Sequence, residues 1–426
     1  MLTRDGYLLI AARGLRMLSY GFLSVILALY LSAIGFSVLQ IGTLFTVALG
    51  GGAAAMMGIS LLADRWGRRV TLIISSMLMV TAGGALATST SFPLLLLFAA
   101  LGTLSPGGQE IGPFQSLEQA ALSEASAEPG RVMPYAWYNL AGYLAVAVGA
   151  LAAGVVPAAL QAFGWTPLGA QRMLVWAFAA VGLGLIGVYL ALSPSVEAPL
   201  RNAGPGAPRP GLHRSRGIVL RLAALFGLDA LAGGLIVQSL IAFWFHQRFG
   251  VGLERLGPLF FGTNLLSALS ALAAARLADR FGLLNTMVFT HLPSNLLLAM
   301  VPFMPSWPLA ALTLLARHAL SQMDVPTRQA YTMILVAPGE RAAAAGVTNM
   351  VRPAAGSVAP AISGLALQTA ANGLPFVLSG GLKIVYDVLL WLMFRKVPLP
   401  PSAPPRPMIA GAEQTPPAAR VSRRLT

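Results

Sequence analysis

A short charged turn between two long apolar stretches sets the first constraint on this chain. Four of the six residues from Asp64 to Arg69 are charged, and both flanking stretches are long enough to cross a bilayer. Charged side chains are costly in hydrocarbon, so this turn must lie in water at one face of a membrane. The string Leu-Ala-Asp-Arg returns at residues 277–280, and 215 positions (279 − 64) separate the two aspartates in a chain of 426 residues. A duplicated membrane bundle is therefore the first prediction.

The composition supports this prediction. Apolar residues make up 56% of the chain and charged residues 10%, against about 25% charged in ordinary soluble domains. The net charge of +14 comes mostly from arginines scattered through short turns, so it indicates membrane topology and not nucleic-acid binding. The absence of cysteine excludes disulfides and thiolate metal sites. The richness in Ala, Gly, Pro and Arg favours a bacterial source.

Twelve apolar stretches have the length of a membrane-spanning helix, with Pro or Gly at most of the connections. The connections alternate between arginine-rich and nearly uncharged, so the positive-inside rule places both termini and the central loop in the cytoplasm. No cleavable signal peptide is expected. The predicted spans are 8–34, 38–62, 70–89, 93–117, 133–159, 171–192, 218–245, 255–277, 284–304, 308–334, 343–369 and 373–394.

The sequence predicts four regions. An N-terminal six-helix bundle covers residues 1–192, and a C-terminal six-helix bundle covers residues 218–397. A basic, Pro/Gly-rich cytoplasmic linker at 193–217 joins them, and a disordered cytoplasmic tail follows at 398–426.

The two halves match at further positions, all at shifts of 210 to 215 residues. Such long-period similarity within a membrane chain is typical of transporters built from two related bundles. The aligned pairs are Arg16 with Asp229, Gly42 with Gly257, Asn139 with Asn349 and Gly154 with Gly364.

Two six-helix halves, a long linker and the turn at 62–69 make this chain resemble the major facilitator superfamily. The resemblance covers residues from about 8 to 395. Ser60 stands where the family usually has Gly, and Leu283 and Leu284 replace the basic pair in the second copy of the turn. The resemblance implies an all-α integral membrane protein with 12 transmembrane helices in two pseudo-symmetric six-helix bundles.

The resemblance also implies a secondary active transporter in the bacterial cytoplasmic (inner) membrane. It would move a small organic solute by alternating access with coupled protons, and efflux is preferred over uptake. Proton-coupled uptake of an anionic or zwitterionic solute stays open, as does a receptor or scaffold that keeps the fold without flux. No phosphate loop, metal-ligand spacing or nucleophile elbow occurs in the sequence. We therefore expect no enzyme activity, cofactor, metal or nucleic acid, and a protein that functions as a monomer in the lipid bilayer.

In the family, the charged turn contacts neighbouring helix ends and holds the cytoplasmic side closed. The resemblance gives this role to the matching residues here. A basic loop that only fixes topology is the alternative, although topology alone does not require Asp64 or Gly67. The predicted gate residues are Asp64, Arg65, Gly67, Arg68, Arg69, Asp279 and Arg280.

Charges at membrane depth are the second group of candidates. Arg16 and Asp229 occupy matching positions of the first helix in each half, so pseudo-symmetry places them at similar depth beside a central cavity. They contact substrate or carry a coupled proton, or else form a fixed ion pair. A third option is that Arg16 snorkels to the interface, as we expect of Arg13.

The tenth span carries Arg317 near the bilayer centre and Asp324 two turns later on the same face. The setting of Arg317 resembles that of the arginine which the family's fourth-helix motif links to proton coupling. In the fourth span, Glu110 is the rough counterpart of Asp324, and Gly107 and Gly108 permit unwinding there. Titratable carboxylates at this depth suit proton coupling, and salt bridges in the cytoplasmic vestibule are the alternative.

Polar residues on the fifth and eleventh spans complete the candidate site. Asn139 and Asn349 either line a cavity or join helices as polar contacts. Arg352, one turn from Asn349, is a second candidate for holding an anionic group.

Four further charges are predicted to be structural. Glu118 and Arg328 are interpreted as salt-bridging gate residues in the cytoplasmic vestibule. Lys383 and Asp387, one helical turn apart, are interpreted as a self-neutralising pair.

Overall fold

The computed structural model describes residues 3–109, 114–124, 133–197, 212–369 and 372–397. These residues form fifteen α-helices and three 3₁₀ turns, and they contain no β-strand. The helices are α1 (Arg4–Ala33), α2 (Val38–Trp66), α3 (Arg68–Thr88), α4 (Phe92–Ala100), α5 (Phe114–Glu124), α6 (Met133–Ala162), α7 (Pro167–Leu190), α8 (Arg216–Gly234), α9 (Gln238–Phe249), α10 (Leu253–Phe281), α11 (Leu283–Met300), α12 (Trp307–Ser321), α13 (Asp324–Leu335), α14 (Arg341–Leu367) and α15 (Leu374–Phe394). The 3₁₀ turns are Pro194–Val196, Val301–Phe303 and Pro338–Glu340.

These fifteen helices make twelve membrane spans because three spans are broken into two helices each. α4 and α5 form the fourth span, α8 and α9 the seventh, and α12 and α13 the tenth. By length and composition, nine spans in the described part of the chain are apolar enough to cross a membrane. The fourth, tenth and eleventh spans are not among these nine. The predicted all-α membrane fold with twelve spans is confirmed.

Two of the breaks correct the expectation of continuous helices at 218–245 and 308–334, and the third includes Gly107 and Gly108, where the sequence predicts unwinding of the span at 93–117. Each break has a local cause in glycine or proline. α4 ends ahead of the Ser-Pro-Gly-Gly sequence at 105–108, and α8 ends at Gly234. Pro326 lacks the N–H that would bond the carbonyl of residue 322, where the tenth span is interrupted.

Successive spans alternate in direction, which defines two sides of the molecule. We call the side at which α1 begins the terminal side, and the side at which α1 ends the far side. On the terminal side, Gly67 separates α2 from α3 with φ 89° and Gly282 separates α10 from α11 with φ 81°. Only glycine adopts this backbone conformation without strain, which explains the glycine in both copies of the charged turn.

The helices of the two halves pack in the same pattern. In the first half α1 packs on α6 and α3 on α7; in the second half α8 packs on α14 and α11 on α15. Between the halves, α2 packs on α14 and α6 packs on α10. Residues 198–211 of the predicted linker and the whole predicted tail at 398–426 lie outside the described residues, so those boundaries stay predictions.

Glycine pairs permit the close approach between the halves. A Cβ atom at Gly42 would lie 2.4 Å from the carbonyl oxygen of Pro360 and 2.9 Å from Cα of Gly364. A Cβ atom at Gly257 would lie 2.7 Å from Cα of Gly154. The two crossings are equivalent in the repeat, since Gly42 aligns with Gly257 and Gly154 with Gly364. Backbones this close leave no room for a side chain.

Polar contacts join the halves next to the glycine crossings. Ser24 of α1 accepts a hydrogen bond from Gln238 Nε2 at 2.8 Å, and its carbonyl accepts one from Ser239 Oγ at 2.7 Å. The N–H of Ser239 donates to the carbonyl of Pro106 at 3.0 Å, so the breaks of the fourth and seventh spans meet beside α1. These contacts and the glycine crossings lie in the half of the bundle nearer the far side, where the two halves are held together.

Candidate functional site

A fully buried arginine–glutamate pair lies in the first half. Arg16 of α1 donates Nη1 to Oε1 of Glu118 at 2.8 Å and Nη2 to Oε2 at 2.6 Å, and both side chains are 0% exposed. Tyr138 of α6 and Tyr189 of α7 donate their hydroxyls to the same carboxylate, each at 2.5 Å. We call these four residues the first-half cluster. Four helices meet at one carboxylate, whose lone pairs all have protein donors.

A second cluster surrounds Asp229 of α8. Oδ1 of Asp229 lies 2.5 Å from Nζ of Lys383, and Oδ2 lies 3.1 Å from Nη1 of Arg352. Nη1 of Arg328 lies 3.4 Å from the same Oδ2 and 2.5 Å from Asp324, one turn earlier in α13. We call these five residues the second-half cluster. Its side chains are buried except that of Arg352, which is 29% exposed.

The two clusters are equivalent in the repeat, with the charges exchanged. Glu118 and Arg328 correspond at a shift of 210 (328 − 118), which also relates Asn139 and Asn349. The first half has its cation on the first span and its carboxylate on the fourth. The second half has its carboxylate on the seventh span and its cation on the tenth.

The predicted pair Arg16 and Asp229 is divided between these clusters. Each residue makes its ion pairs within its own half, and Arg16 is buried and does not snorkel. The interpretation of Glu118 and Arg328 as vestibule salt bridges is wrong, because both are buried partners of the intramembrane clusters. The shift of 210 between them was the sequence signal for this role.

Two further interpretations are corrected. Arg13 is 6% exposed, and its guanidinium carbon lies 4.9 Å from the ring centroid of Tyr138, so the side chain packs inward and does not snorkel. Lys383 pairs with Asp229 and not with Asp387. The spacing of Lys383 and Asp387 defines only the local option, whereas a lysine side chain also reaches carboxylates on neighbouring helices.

Asp387 has buried partners of its own on α11. Nδ1 of His291 lies 2.9 Å from Oδ1 of Asp387, and Nδ2 of Asn295 donates to Oδ2 at 2.8 Å. His291 is 3% exposed and the other two are 0% exposed. This cluster could not be predicted from the sequence, because nothing in the spacing of α11 shows which helix its polar residues face.

Arg317 of α12 is buried without a carboxylate in ion-pair distance among the described residues. Its Nη1 lies 3.0 Å from Nε2 of His318, whose Nδ1 lies 2.9 Å from Oγ of Ser267 on α10. Its Nε has no hydrogen-bond partner in the described part of the chain. A buried guanidinium in this setting is suited to hold an anion.

The remaining candidate residues differ in exposure. Asn139 is half-buried and Asn349 is exposed, and Arg352 reaches from α14 to Asp229. Glu110 lies outside the described residues. No group of three or more His, Cys, Asp or Glu side chains with the arrangement of a metal site occurs in the part of the chain that the structure describes.

The charged turn binds the end of α7 and the segment after it. Glu197 accepts hydrogen bonds from the backbone N–H groups of Arg68 at 2.7 Å and Arg69 at 2.9 Å. The guanidinium of Arg69 donates to the carbonyls of Tyr189 and Leu190. A carboxylate at the first residues of α3 also complements the dipole of that helix. These contacts join the turn to the end of α7 and to the first residues of the predicted linker.

Other predicted gate residues lie at the surface. Arg65, Asp279 and Arg280 are exposed, and the guanidinium of Arg280 lies 5.3 Å from the ring centroid of Phe281. The side chain of Asp64 lies outside the described part. The gating role of the turn therefore stays a prediction.

A carboxylate also caps the first helix of the second half. Glu340, between α13 and α14, accepts backbone hydrogen bonds from Arg214, His213 and Ser215 at 2.8 to 2.9 Å, immediately before α8 begins. These hydrogen bonds lower the pKa of the Glu340 carboxyl to about 2. The first helix after each charged connection, α3 and α8, thus has a glutamate bound at its N-terminus on the terminal side.

Comparisons with known proteins agree with this architecture. A family model described as the Major Facilitator Superfamily matches residues 9–360. The membrane protein YJR124C of Saccharomyces cerevisiae, described as uncharacterized, is 29% identical over 422 residues, which cover 92% of this chain and 94% of that protein.

Two solved transporter structures share the fold. The nucleoside transporter NupG has a TM-score of 0.72 at 15% identity, covering 92% of this chain and 99% of that chain. The xylose transporter XylE from E. coli has a TM-score of 0.65 at 14% identity, covering 92% and 98%. At these identities the likeness shows the fold alone.

Proposed function

Because this chain belongs to the Major Facilitator Superfamily and is a secondary transporter rather than an enzyme, we propose that its solute is an organic anion that moves together with protons. The observation that carries this proposal is the sharing of Asp229 by Lys383, Arg352 and Arg328. A solute carboxylate or phosphate competes with Asp229 for the same cations. The partly exposed Arg352 is the partner within its reach.

The charge balance of the second half supports an anionic solute. Its described membrane spans hold four buried or partly buried cations, Arg317, Arg328, Arg352 and Lys383, against the carboxylates of Asp229, Asp324 and Asp387. Uncompensated charge inside a bundle is costly, so a bound anion stabilises this arrangement. Arg317 is the cation that lacks a carboxylate in the described residues, and it is our second candidate for solute binding.

Competition for the cations couples the solute to protons. When Asp229 accepts a proton it no longer holds Arg352, and the arginine is available to the solute anion. By linkage, the bound anion favours the protonated carboxylate by the same factor. Proton and anion are then bound in the same state and cross together. This chemistry favours the symport expectation over the efflux expectation.

The transport cycle follows from the contacts between the halves. The glycine crossings and the Ser24 contacts close the far side, and we propose that alternating access breaks them while the charged turn closes the terminal side. We propose that the terminal side is cytoplasmic, with the arginine-rich connections there. The bacterial inner membrane and the monomeric state stay predictions; YJR124C is a relative from yeast.

Flux measurements in proteoliposomes test this proposal. Radiolabelled mono- and dicarboxylates and sugar phosphates would be supplied with and without a pH gradient. We expect gradient-driven accumulation of at least one anion and none of its uncharged amide or alcohol analogue. In Arg352→Gln we expect the KM for that anion to rise at least about tenfold.

Two results would overturn the proposal. Flux of neutral solutes alone excludes an anion site, and anion flux of equal size with and without the gradient excludes proton coupling. Binding of solute with no flux in folded protein would instead support the receptor or scaffold.

A further inference from the structure

Lys383 lies between two buried carboxylates and binds one of them. Its Nζ is 2.5 Å from Asp229, on the neighbouring helix α8, while Asp387 stands one turn further along its own helix α15. Residues four apart on a helix are neighbours, so the ammonium reaches either carboxylate by rotating its own side chain. A Cβ atom at Gly233 would meet only Nζ and Cε of Lys383 within 4 Å, at 3.8 and 4.0 Å, so this glycine leaves space beside the ammonium.

Asp387 needs a counter-charge when Lys383 is bound elsewhere. It is fully buried, and the described groups that contact it are Asn295, which is neutral, and His291, whose Nδ1 is 2.9 Å away. A buried carboxylate without a cation is strongly disfavoured. An imidazolium at His291 supplies the missing charge, and histidine is the side chain whose charge commonly changes near neutral pH.

We propose that His291, Asp387 and Asn295 form a proton-storage site that exchanges charge with the second-half cluster through Lys383. In the first state Lys383 binds Asp229, and protonated His291 balances Asp387. In the second state Asp229 is protonated, Lys383 binds Asp387, and His291 is neutral. One proton leaves the imidazolium and one proton appears on Asp229, while the ammonium keeps all its protons, so the total charge is unchanged.

The surroundings of His291 define what else influences its charge. Asp387, Lys383 and Tyr386 face it from α15, with the Tyr386 ring centroid at 6.1 Å. Asp229 on α8 influences His291 electrostatically and binds Lys383. Arg328 on α13 lies next to Tyr386. Arg317 on α12 contacts α11 through its backbone carbonyl, which accepts a hydrogen bond from Ser294. Of these groups, Lys383 is the one that stands between Asp229 and Asp387.

This inference deepens the proposed function, on which it rests for its role in coupling. Storage of a proton behind the solute site lets Asp229 gain a proton, and release Arg352, without direct access to water at that step. Asp229 and His291 then change protonation in opposite directions, which a fixed structural histidine–aspartate contact does not require.

Histidine NMR tests the exchange without any solute. The protein has four histidines, His213, His246, His291 and His318, so ¹⁵N-histidine labelling in lipid nanodiscs gives four assignable rings. Asp229→Asn mimics the protonated carboxylate and frees Lys383. We expect the pH at which half of the His291 rings are charged to fall by about one unit or more, the effect of bringing a like charge within a few ångströms. His246, exposed at the far end of α9, is the internal reference that should not move.

The double variant Asp229→Asn with Lys383→Met separates movement of the lysine from loss of the aspartate charge. We expect the shift at His291 to disappear in it. A shift of equal size in the single and double variants, or none in either, overturns the proposal. Should D229N not fold, K383M alone decides: His291 then keeps its proton to higher pH than in the wild type, and an unchanged midpoint counts against the exchange. The NMR experiment contains no solute, so its result can be interpreted even if the proteoliposomes show no anion flux.

Discussion

The first-half and second-half clusters place opposite charges at equivalent positions of the repeat, and they differ in how completely those charges are satisfied. In the first half one carboxylate, Glu118, takes both arms of Arg16 and two tyrosine hydroxyls, with 0% exposure of the ion pair. In the second half one carboxylate, Asp229, is divided among three cations, of which Arg352 is 29% exposed. One cluster is closed to exchange, and the other has competing partners within reach.

This difference indicates that the two clusters have different roles. A bidentate arginine–carboxylate pair with two further hydrogen bonds fixes the first and fourth spans to each other. Every partner in it is satisfied, so none of them exchanges readily. A carboxylate shared by three cations allows one cation to leave while the others hold the charge. We therefore expect substitutions in the first half to act mainly on folding, and substitutions in the second half mainly on transport.

The largest expected effect comes from Glu118→Gln. This change neutralises the carboxylate that binds both arms of the buried Arg16, and loss of one partner of a buried ion pair costs about 3–5 kcal/mol. Thermal unfolding in detergent, followed by tryptophan fluorescence, measures it. The matched change in the second half, Asp324→Asn, leaves Arg328 paired with Asp229 and should cost about 1–2 kcal/mol at most. Equal losses in the two variants would break the distinction between a closed and an exchanging cluster.

The next effect is on flux. Arg317→Ala should lower coupled anion flux at least about tenfold, equivalent to about 1.4 kcal/mol, while the protein stays folded. The physical reason is that Arg317 is a buried guanidinium without a carboxylate in the described residues, so its charge is free to act on the solute. Arg172→Ala, at an exposed position of α7, is the control and should transport like the wild type. Unchanged coupled flux in R317A would remove this residue from the mechanism.

The sequence predicts the fold better than it predicts the site. Long apolar stretches and alternating arginine-rich turns determine the number of spans, because hydrocarbon tolerates little else. The equivalent positions of Arg16 and Asp229 can also be predicted from the repeat. The register of the fourth span is less certain, because Glu110 aligns with Asp324 at a shift of 214, whereas Glu118 aligns with Arg328 at 210. Glu110 lies outside the described residues, so its role stays a prediction.

At a shift of 210, Glu118 aligns with Arg328 and Asp324 aligns with Phe114, so a search for two matching carboxylates does not find Glu118. Residues 101–109, which follow α4, are not helical, so counting residues across them cannot give the register. The partner of Lys383 was missed for a different reason. Which of two carboxylates a long side chain binds depends on neighbouring helices, and sequence spacing records only its own helix.

The two charged turns give a smaller and more local comparison. Gly67→Ala and Gly282→Ala both force a Cβ into a backbone conformation that costs roughly 1–3 kcal/mol for residues other than glycine. At Gly67 the added Cβ also meets the carboxylate oxygens of Glu197 at 2.7 and 2.8 Å, whereas nothing lies within 4 Å at Gly282. Thermal unfolding should therefore show the larger loss in G67A. A larger loss in G282A would mean that the first copy of the turn does not depend on the Glu197 contact.

The smallest expected effect concerns the cap at Glu340, and it depends on pH. The pKa of this carboxyl is lowered from 4.5 to about 2 by backbone hydrogen bonds from Arg214, His213 and Ser215, so the folded protein binds a proton at this group less readily than the unfolded chain. Its contribution to stability is therefore complete above about pH 4.5 and decreases as pH falls toward 2. Glu340→Gln lacks this contribution at every pH, so the difference in Tm between wild type and E340Q should shrink between about pH 5 and pH 3. A Tm difference that stays constant over this range would mean that the glutamate charge does not stabilise the start of α8, and the two halves would then differ in their caps as they do in their clusters.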